Sequence, residues 1–392
     1  MNKRLLPYGR QAIDDDDIAA VVEALNADFL TTGPLVDAFE AAFAAAVGAE
    51  HAVACNSGTA ALHLAALALD LKEGDVAVVP AVTFLSTANA VRMTGADVVI
   101  ADVDPWTGLL TPETLEAAAT AQRGRLRAAF PVHLNGQVCD MAALADLAAR
   151  YGLQLVEDAC HALGVEAIGA TRYSAAACFS THPVKAIATG EGGVVTTADA
   201  GVAARMRKLR SHGMTRETDT FENRDLAFDD DGQPNPWYYE MPEIGWNYRI
   251  PDILCALGIS QLRKLDRFVS RRRHIAALYE RLLAPLGPVI RPTSSANALH
   301  GWHLYALHVD FRSLGTTRAR FMKALRAEGV GTQVHYIPLH QQPYYRKRYG
   351  EVSLPGAEAY YAQCLSIPMF ASMTDADVEY VASAISKCAG RA

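Results

Sequence analysis

Long apolar segments, paired cysteines and an excess of basic residues are all absent from this sequence of 392 residues. No apolar run approaches the ~20 residues needed to cross a bilayer, and the basic start of the chain meets Asp14–Asp17 before any apolar stretch, unlike a signal peptide. The seven cysteines are odd in number and contain no C-x-x-C pair, which favours reduced thiols over a disulfide or metal framework. These absences predict a cytoplasmic protein without a membrane segment.

The motifs of several common enzyme and binding classes are missing as well. Lys and Arg number 36 against 43 Asp and Glu, a net charge of −7, so no overall basic field is available for nucleic acid or an anionic membrane. The sequence contains no Walker G-x-x-x-x-G-K-[ST], no H-E-x-x-H zinc pair and no G-x-S-x-G hydrolase elbow. We therefore expect neither a metal nor nucleic acid as a ligand, and any phosphate must be held by a few local groups.

What the sequence does contain is an ordinary globular composition, 51% hydrophobic and 20% charged, with room for two or three units of roughly 150 residues. Between residues 50 and 200, short β-rich apolar runs alternate with Ala- and Leu-rich helical patterns. The runs are 51–55, 76–80, 98–101, 128–132, 153–156, 175–179 and 194–197. Such alternation predicts an α/β fold with a mostly parallel sheet that is covered on both faces.

The second half of the chain has a different character. Residues 214–245 are acidic, contain three prolines and then become aromatic, which is typical of a long excursion over the surface. A helical pattern follows over 251–283. The later elements, two β runs and a helix, are predicted over 304–309, 331–336 and 317–328. We predict an N-terminal arm and large domain over 1–265 and a small C-terminal α+β domain over 266–392.

Four groups of polar residues follow the predicted strands or precede the long helix, and ligands gather beyond the carboxyl ends of parallel strands. Residues 56–59 (N-S-G-T) precede a helix and either bind a phosphate or simply cap that helix. Asp158 ends a buried run and is either a structural cap or the partner of a protonated cofactor nitrogen. Lys185 precedes a glycine-rich turn and is either a surface lysine or a Schiff-base lysine. Asn247 and Arg249 are either caps and surface groups or reach a neighbouring subunit.

Taken together, the anion turn, Asp158 and Lys185 match the phosphate, pyridine nitrogen and aldehyde of pyridoxal 5′-phosphate. The sequence also resembles the DegT/DnrJ/EryC1/StrS aminotransferases, fold-type I pyridoxal phosphate enzymes that aminate nucleotide-linked keto-sugars. The resemblance extends over nearly the whole chain. The motifs that carry it are L-T-T-G-P at 30–34, N-S-G-T-A-A-L-H at 56–63, P-x-x-T-F at 80–84, E-D-A-C-H-A-L-G at 157–164, H-P-V-K at 182–185, T-G-E-G-G at 189–193, N-Y-R at 247–249 and P-L-H at 338–340.

This resemblance implies a role for each matching residue around the cofactor ring. Lys185 would hold the cofactor covalently and then move protons as the catalytic acid and base. Asp158 would pair with the protonated ring nitrogen. Phe84 would stack on the ring face, and His161 would lie near the ring oxygen.

The implied phosphate contacts are Gly58, Thr59 and Ser180, together with the partner subunit's Asn247. Because such a site would be shared between two chains, the resemblance also implies a homodimer. The implied candidates for binding substrate are Thr31, Arg249, Tyr336 and His340.

Two segments and the E-D-A-C-H form at 157–161 favour one branch of the family. P-W-Y-Y-E-M at 236–241 and R-S-H-G-M-T-R at 210–216 look most like the PseC type, which transfers the amino group of L-glutamate to C4 of a UDP-linked 4-keto-6-deoxy-N-acetylhexosamine on the route to pseudaminic acid. The alternatives are another nucleotide keto-sugar, of the GDP-perosamine type or a 3-keto isomer, and a non-catalytic sugar-binding regulator. Two features depart from the family pattern: Thr181 stands where an aromatic residue is common, and the segment 165–178 is short.

Overall fold

The computed structural model describes residues 5–121, 125–293 and 299–390 of the chain. In these ranges the strands are β1 His51–Cys55, β2 Val76–Pro80, β3 Asp97–Ala101, β4 Leu126–Ala129, β5 Gln154–Asp158, β6 Ala176–Ser180, β7 Gly193–Thr197, β8 Ile290–Pro292, β9 Tyr305–Val309 and β10 Cys364–Ile367. The α-helices are α1 Asp15–Leu25, α2 Pro34–Val47, α3 Gly58–Ala68, α4 Leu85–Met93, α5 Pro112–Thr120, α6 Met141–Tyr151, α7 Ala200–Arg210, α8 Arg224–Ala227, α9 Asp252–Leu262, α10 Leu265–Leu283, α11 Arg318–Ala327, α12 Pro343–Tyr349, α13 Pro355–Gln363 and α14 Asp375–Cys388. Small parts of both predicted domains, at 1–4, 122–124, 294–298 and 391–392, lie outside the described residues.

The first seven strands form one sheet in the order β1-β7-β6-β5-β4-β2-β3. Strand β7 is antiparallel to both of its neighbours, and the other neighbouring strands pair in parallel. The predicted α/β fold with a mostly parallel sheet is therefore confirmed. Because such a sheet is covered on both faces, β2, β6 and β7 are buried at every residue, and their sequences are nearly continuous apolar runs.

Helix α3 shows how composition and capping place a helix against this sheet. Its Ala- and Leu-rich sequence is buried on almost all sides, from Ala60 to Ala68, so small side chains allow close packing on the strands. At its start, the Ser57 hydroxyl accepts a hydrogen bond from the Ala60 N–H at 3.1 Å, as an N-cap does. The amino end of α3 is thereby fixed beside the carboxyl end of β1.

A second sheet, in the order β10-β9-β8, is antiparallel throughout and has its own hydrophobic core with α10, α11 and α14. That core includes the side chains of Tyr279, Leu307 and Phe321. Leu6 packs in the same core, so the start of the chain is attached to its C-terminal half. The boundary at residue 265 stays a prediction, and it coincides with the first residue of α10.

The helical stretch predicted over 251–283 is wrong in one respect, because it is two helices. Lys264 lies between α9 and α10, and its ammonium forms ion pairs with Asp14 and with Asp17 of α1. These contacts tie the break to a helix that is far away in the sequence. Apolar residues recur at helical spacing on both sides of the break, so the periodicity gave no sign of it.

The strand predicted over 331–336 is also wrong. Among the described residues, the one β-bridge formed by this segment joins Gln333 to Ser366 and is isolated. Gly331 instead donates its N–H to the carbonyl oxygen of Leu6 at 2.8 Å, and the chain then turns towards the large sheet, where Leu339 donates to Ala81 at 2.8 Å. Long-range pairing with the N-terminal arm has replaced a regular strand. Within the described ranges, no helix is long and apolar enough to cross a membrane.

Candidate active site

A cavity of about 860 Å³ opens at the carboxyl ends of the parallel strands. Its walls include residues that follow β1, β2, β5 and β6, as expected for a ligand site in a parallel sheet. We call one part of this lining the strand-end side; it consists of Ser57, Gly58, Thr59, Asp158, Ser180 and Lys185. The strand-end side thus brings together residues that are up to 128 positions apart, from Ser57 to Lys185.

The turn after β1 is shaped to accept an anion. Ser57 caps α3, and within the described chain the N–H groups of Gly58 and Thr59 have no hydrogen-bond partner. A Cβ on Gly58 would lie 2.8 Å from the Cβ of Ser180. One on Gly193 would lie 2.3 Å from the carbonyl oxygen of Ser57. The turn therefore packs against β6 and β7 too closely for side chains, and its free donors at the start of α3 remain available for a phosphate.

The carboxylate of Asp158 is held at the end of β5 with only 4% of the residue exposed. Its Oδ2 accepts a hydrogen bond from the Thr87 hydroxyl at 2.7 Å, and its Oδ1 accepts one from the Cys160 N–H at 3.2 Å. The Thr83 hydroxyl lies 2.7 Å from that of Thr87, which is left free to accept because its own proton goes to Asp158. None of the ion pairs among described residues includes Asp158. A buried carboxylate without a cationic partner fits a protonated ring nitrogen.

Lys185 lies in the loop between β6 and β7. The hydroxyls of Thr181 and Thr189 are 2.5 Å apart and close this loop at its base, and the Thr189 N–H also donates to the Thr181 carbonyl at 2.9 Å. Thr181, which stands where the family commonly has an aromatic residue, therefore helps to shape the loop that carries Lys185. Burial lowers the pKa of Lys185, an effect that the nearby Cys160 and Asp158 oppose. A lowered pKa increases the fraction of neutral amine, which is the nucleophilic form.

His161 is held in one tautomer beside the same cavity. Its Nδ1 accepts the N–H of Asn135 at 3.2 Å, so the neutral ring carries its proton on Nε2 and donates to the Tyr336 hydroxyl at 3.2 Å. Burial, together with the charge of Lys185, lowers the pKa of His161 well below its usual value, which keeps the ring neutral. Phe84 lines the cavity as well, with its ring centroid 5.9 Å from that of Tyr336.

Four predicted site residues lie outside the cavity lining of their own chain. Thr31 and Asn247 are exposed, and Arg249 is half-buried in the segment that follows Asn247. His340 is buried with its Nε2 3.4 Å from the Glu358 carboxylate. The other predicted site residues, which are Gly58, Thr59, Phe84, Asp158, His161, Ser180, Lys185 and Tyr336, all line the cavity.

Sequence reasoning missed the residue that orients Asp158 and much of one wall. Thr87 lies three positions after Phe84, one helical turn on, and that spacing from a predicted ring contact was a usable signal. The missed wall residues are Tyr8, Gln333, His335 and Gln342. For Tyr8 no local signal exists, because it reaches the cavity only through pairing between the two ends of the chain.

The seven-stranded sheet with its single antiparallel strand, together with the buried carboxylate and the half-buried lysine at its strand ends, defines a fold-type I transferase that uses pyridoxal 5′-phosphate. The free N–H groups of the turn, the carboxylate that forms no ion pair among the described residues and the Lys185 amine fit the phosphate, the ring nitrogen and the aldehyde of that cofactor. The chain belongs to the DegT/DnrJ/EryC1/StrS aminotransferase family, whose profile matches residues 11–386. It is therefore an aminotransferase.

The chain is similar to several characterised proteins over nearly its whole length. SpsC of Bacillus subtilis strain 168, a spore coat polysaccharide biosynthesis protein, is 41% identical over 387 residues, which cover 97% of this chain and 96% of SpsC. Helicobacter pylori PseC, an aminotransferase involved in pseudaminic acid biosynthesis, is 27% identical with a TM-score of 0.88, over 98% of this chain and 99% of its own. DesI, solved in the presence of its TDP-sugar product, is 32% identical with a TM-score of 0.84, over 100% of this chain and 95% of its own.

Proposed function

We propose that the protein works in the cytoplasm and transfers the amino group of L-glutamate to the C4 keto group of a UDP-linked 4-keto-6-deoxy-N-acetylhexosamine. The products are 2-oxoglutarate and a UDP-4-amino-4,6-dideoxy sugar. The observation that carries the chemistry is the shared cavity, which Lys185, Asp158 and the 57–59 turn all line. The likeness to PseC over the whole chain supports the choice of sugar.

The strand-end side would hold the cofactor. The N–H groups of Gly58 and Thr59 and the Ser180 hydroxyl would donate to the phosphate, and Asp158 would keep the ring nitrogen protonated. When bound, the cofactor supplies an electron sink that stabilises negative charge on the carbon losing its proton. Asp158 suits this task because Thr87 and the Cys160 N–H already fix both of its oxygens.

Lys185 would supply the reacting amine and carry the proton. After binding of the amino donor, its amine would take the proton from the donor's α-carbon and return a proton to the aldehyde carbon of the cofactor, so that the donor can leave as a keto acid and its nitrogen stays behind. In the second half of the reaction the same amine would take a proton from that cofactor carbon and deliver it to C4 of the sugar. The lowered pKa of Lys185 favours both steps, because a side chain gives and takes protons most readily when its pKa lies near the working pH.

Two more residues would orient the ring. Phe84 would stack on its face, since its side chain lies on the cavity wall and 55% of the residue is exposed. His161 would donate from Nε2 to the ring oxygen, in competition with its present acceptor, the Tyr336 hydroxyl. Tyr336 is the predicted substrate contact that lines the cavity in this chain.

The remaining predicted contacts are consistent with a homodimer. Within the segment 246–249, the backbone of Tyr248 pairs with Arg210 and Asn56, while the side chain of Asn247 is exposed. We propose that Asn247, Arg249 and Thr31 enter the partner's cavity and contact phosphate or sugar there. Large apolar side chains are exposed on α1, after it and in the 214–245 segment, and they would be buried on dimerisation; they are Ile18, Val22, Leu25, Phe29, Leu30, Trp237, Met241 and Ile244.

A test for shared sites uses two defective variants. Lys185→Ala and Asn247→Ala should each be inactive, but mixing them under conditions of subunit exchange should restore activity, because some mixed dimers contain one intact site. Light scattering should give twice the mass of the 42.2 kDa chain. A monomer, or no recovery in exchanged mixtures, would overturn the shared site.

The nucleotide is tested with a panel of acceptors. The similarity to DesI, solved with a TDP-sugar product, favours a TDP-linked keto-sugar as the second candidate. The protein is incubated with L-glutamate and with UDP-, TDP- and GDP-linked keto-sugars, with and without the N-acetyl group, and the aminated product is detected by mass. Amination of the UDP-linked N-acetylated 4-keto sugar is expected. Turnover of the TDP sugar alone would reject the UDP assignment and leave the aminotransferase class unchanged.

A further inference from the structure

The N-terminal arm, residues 5–9, is fixed so that one of its side chains lines the cavity. Leu6 donates its N–H to Gly329 at 2.9 Å and accepts from Gly331 at 2.8 Å, and its side chain is buried in the second core. Two residues on, the carbonyl oxygen of Tyr8 accepts the Met369 N–H at 3.0 Å. The arm is therefore held by backbone hydrogen bonds on both sides of Pro7.

Two glycine contacts show how closely the arm is packed. A Cβ on Gly331 would lie 3.0 Å from the Leu6 carbonyl oxygen and 3.2 Å from the Cα of Pro7. After Tyr8, a Cβ on Gly9 would lie 3.3 Å from two carbons of Val184, the residue before Lys185. The arm thus passes directly over the loop that carries Lys185. Its position depends on residue 331 being a glycine, because a Cβ there would contact the arm.

The ring of Tyr8 lines the cavity between these anchor points. It lies against His335, with ring centroids 5.4 Å apart, and is half-buried. Within the described chain the Tyr8 hydroxyl has no hydrogen-bond partner. Burial raises the pKa of Tyr8, so its hydroxyl is a neutral donor at physiological pH.

The wall around Tyr8 is neutral. We call it the arm wall; it consists of Tyr8, Gln333, His335, Tyr336 and Gln342. Burial lowers the pKa of His335 to about 3, and burial raises that of Tyr336, so neither carries charge near pH 7. The two proposed substrates differ in the charge that they would present to this wall. Glutamate carries two carboxylates, whereas the hexose ring of the sugar carries neutral hydroxyl, keto and amide groups. Neutral donors and aromatic faces match the sugar and offer glutamate no counter-charge.

We infer that Tyr8 is a sugar-binding residue: its hydroxyl donates a hydrogen bond to an oxygen of the hexose and takes no part in the reaction with glutamate. The inference rests on the proposed function and deepens it by assigning the arm wall to one of its two substrates. It also assigns a function to the N-terminal arm, which runs from the second core to the loop that carries Lys185.

The test separates the two half-reactions of the enzyme loaded with pyridoxal 5′-phosphate. Tyr8→Phe keeps the ring and its packing and removes only the hydroxyl. The half-reaction with glutamate, followed by absorbance in single turnovers, should be unchanged. The half-reaction with the keto-sugar should lose roughly tenfold in kcat/KM, the effect of one lost hydrogen bond to substrate. Binding of the aminated product, measured by calorimetry without turnover, should weaken by a similar factor. The matched control is Tyr380→Phe, which removes a hydroxyl from α14 outside the site.

A second variant moves the arm without touching Tyr8. Gly331→Ala places a Cβ 3.0 Å from the Leu6 carbonyl oxygen and should displace the arm, so it should reproduce the loss in the sugar half-reaction. The two changes combined should cost little more than either alone, since both remove the same contact. Equal losses in both half-reactions would overturn the inference, as would no loss in either. Failure of every keto-sugar with the unaltered enzyme would instead refute the proposed function itself.

Discussion

The strand-end side and the arm wall line the same cavity, yet they differ in chemistry and in origin. The strand-end side presents a carboxyl group, an amine and free backbone donors, which lie at or after the carboxyl ends of strands of the large sheet. The arm wall presents neutral hydroxyl, amide and imidazole groups from residues 8 and 333–342. The charged groups of the strand-end side suit the phosphate, ring nitrogen and aldehyde of the cofactor. The neutral groups of the arm wall suit the uncharged hexose ring of the sugar substrate. Changes on the strand-end side should therefore affect both half-reactions, and changes on the arm wall only one.

The largest effect is expected for Lys185→Ala. Without the amine neither substrate can exchange its proton, so both half-reactions should slow by at least roughly a thousandfold. Borohydride should fix the cofactor to the unaltered chain and not to the variant, as shown by mass. Lys323→Ala, an exposed lysine on α11, is the matched control and should behave as the unaltered enzyme. A variant that still aminated the sugar would remove the basis of the mechanism.

The next largest effect is expected for Asp158→Asn. The amide keeps the shape of the side chain but lacks the charge that would hold the ring nitrogen protonated, and loss of one partner of a buried ion pair costs a factor of roughly a hundred or more. Both half-reactions should slow together, and cofactor affinity, measured by equilibrium dialysis, should fall. If only the sugar half-reaction slowed, the distinction between the two sides of the cavity would fail.

A smaller effect, roughly tenfold in both half-reactions, is expected for Thr87→Val. The change removes the donor to Oδ2 of Asp158 and leaves the volume of the side chain nearly unchanged. Combining it with Asp158→Asn should add little, because Thr87 acts through that carboxylate. Thr120→Val, at the exposed end of α5, is the control. A loss confined to the sugar half-reaction would place Thr87 with the arm wall instead.

The smallest effect concerns the stability of the protein without cofactor. The pKa of Lys185 is lowered by burial from the usual 10.5, so below its folded-state pKa the native state carries the cost of a charge that is partly removed from water. Between that value and about 10.4 the native state releases its proton first, and the free energy of unfolding should rise with pH by up to about 1.4 kcal/mol per unit of pKa difference. Urea unfolding from pH 7 to pH 10 should show this rise for the unaltered chain. Lys185→Met should lack it, and an identical slope in both would show that the amine is well solvated.

Much of the strand-end side could be predicted because its signals are local. Asp158 directly ends a buried strand, Ser57 begins a helix, and Lys185 is followed by a glycine-rich turn, so short stretches of sequence show both the element and its end. Thr87 escaped notice because only the tertiary contact between α4 and β5 gives its hydroxyl a carboxylate to meet. The arm wall could not be predicted either, because it forms only when Leu6 and Gly331, which are far apart in the sequence, pair with each other.

The sequence by itself determined the α/β fold and the alternation of strands and helices along the chain, and it predicted a set of cofactor groups, because burial periodicity, caps and strand ends depend on neighbouring residues. Only the tertiary structure decided the break at Lys264, the absence of His340 from the cavity lining and the presence of Tyr8 in it. Those features depend on which distant elements pack together. Such packing is determined by how well entire surfaces of helices and sheets fit each other, and a local sequence pattern does not show this. The division of the chain near residue 265 and the roles of individual site residues stay predictions that the variants above can test.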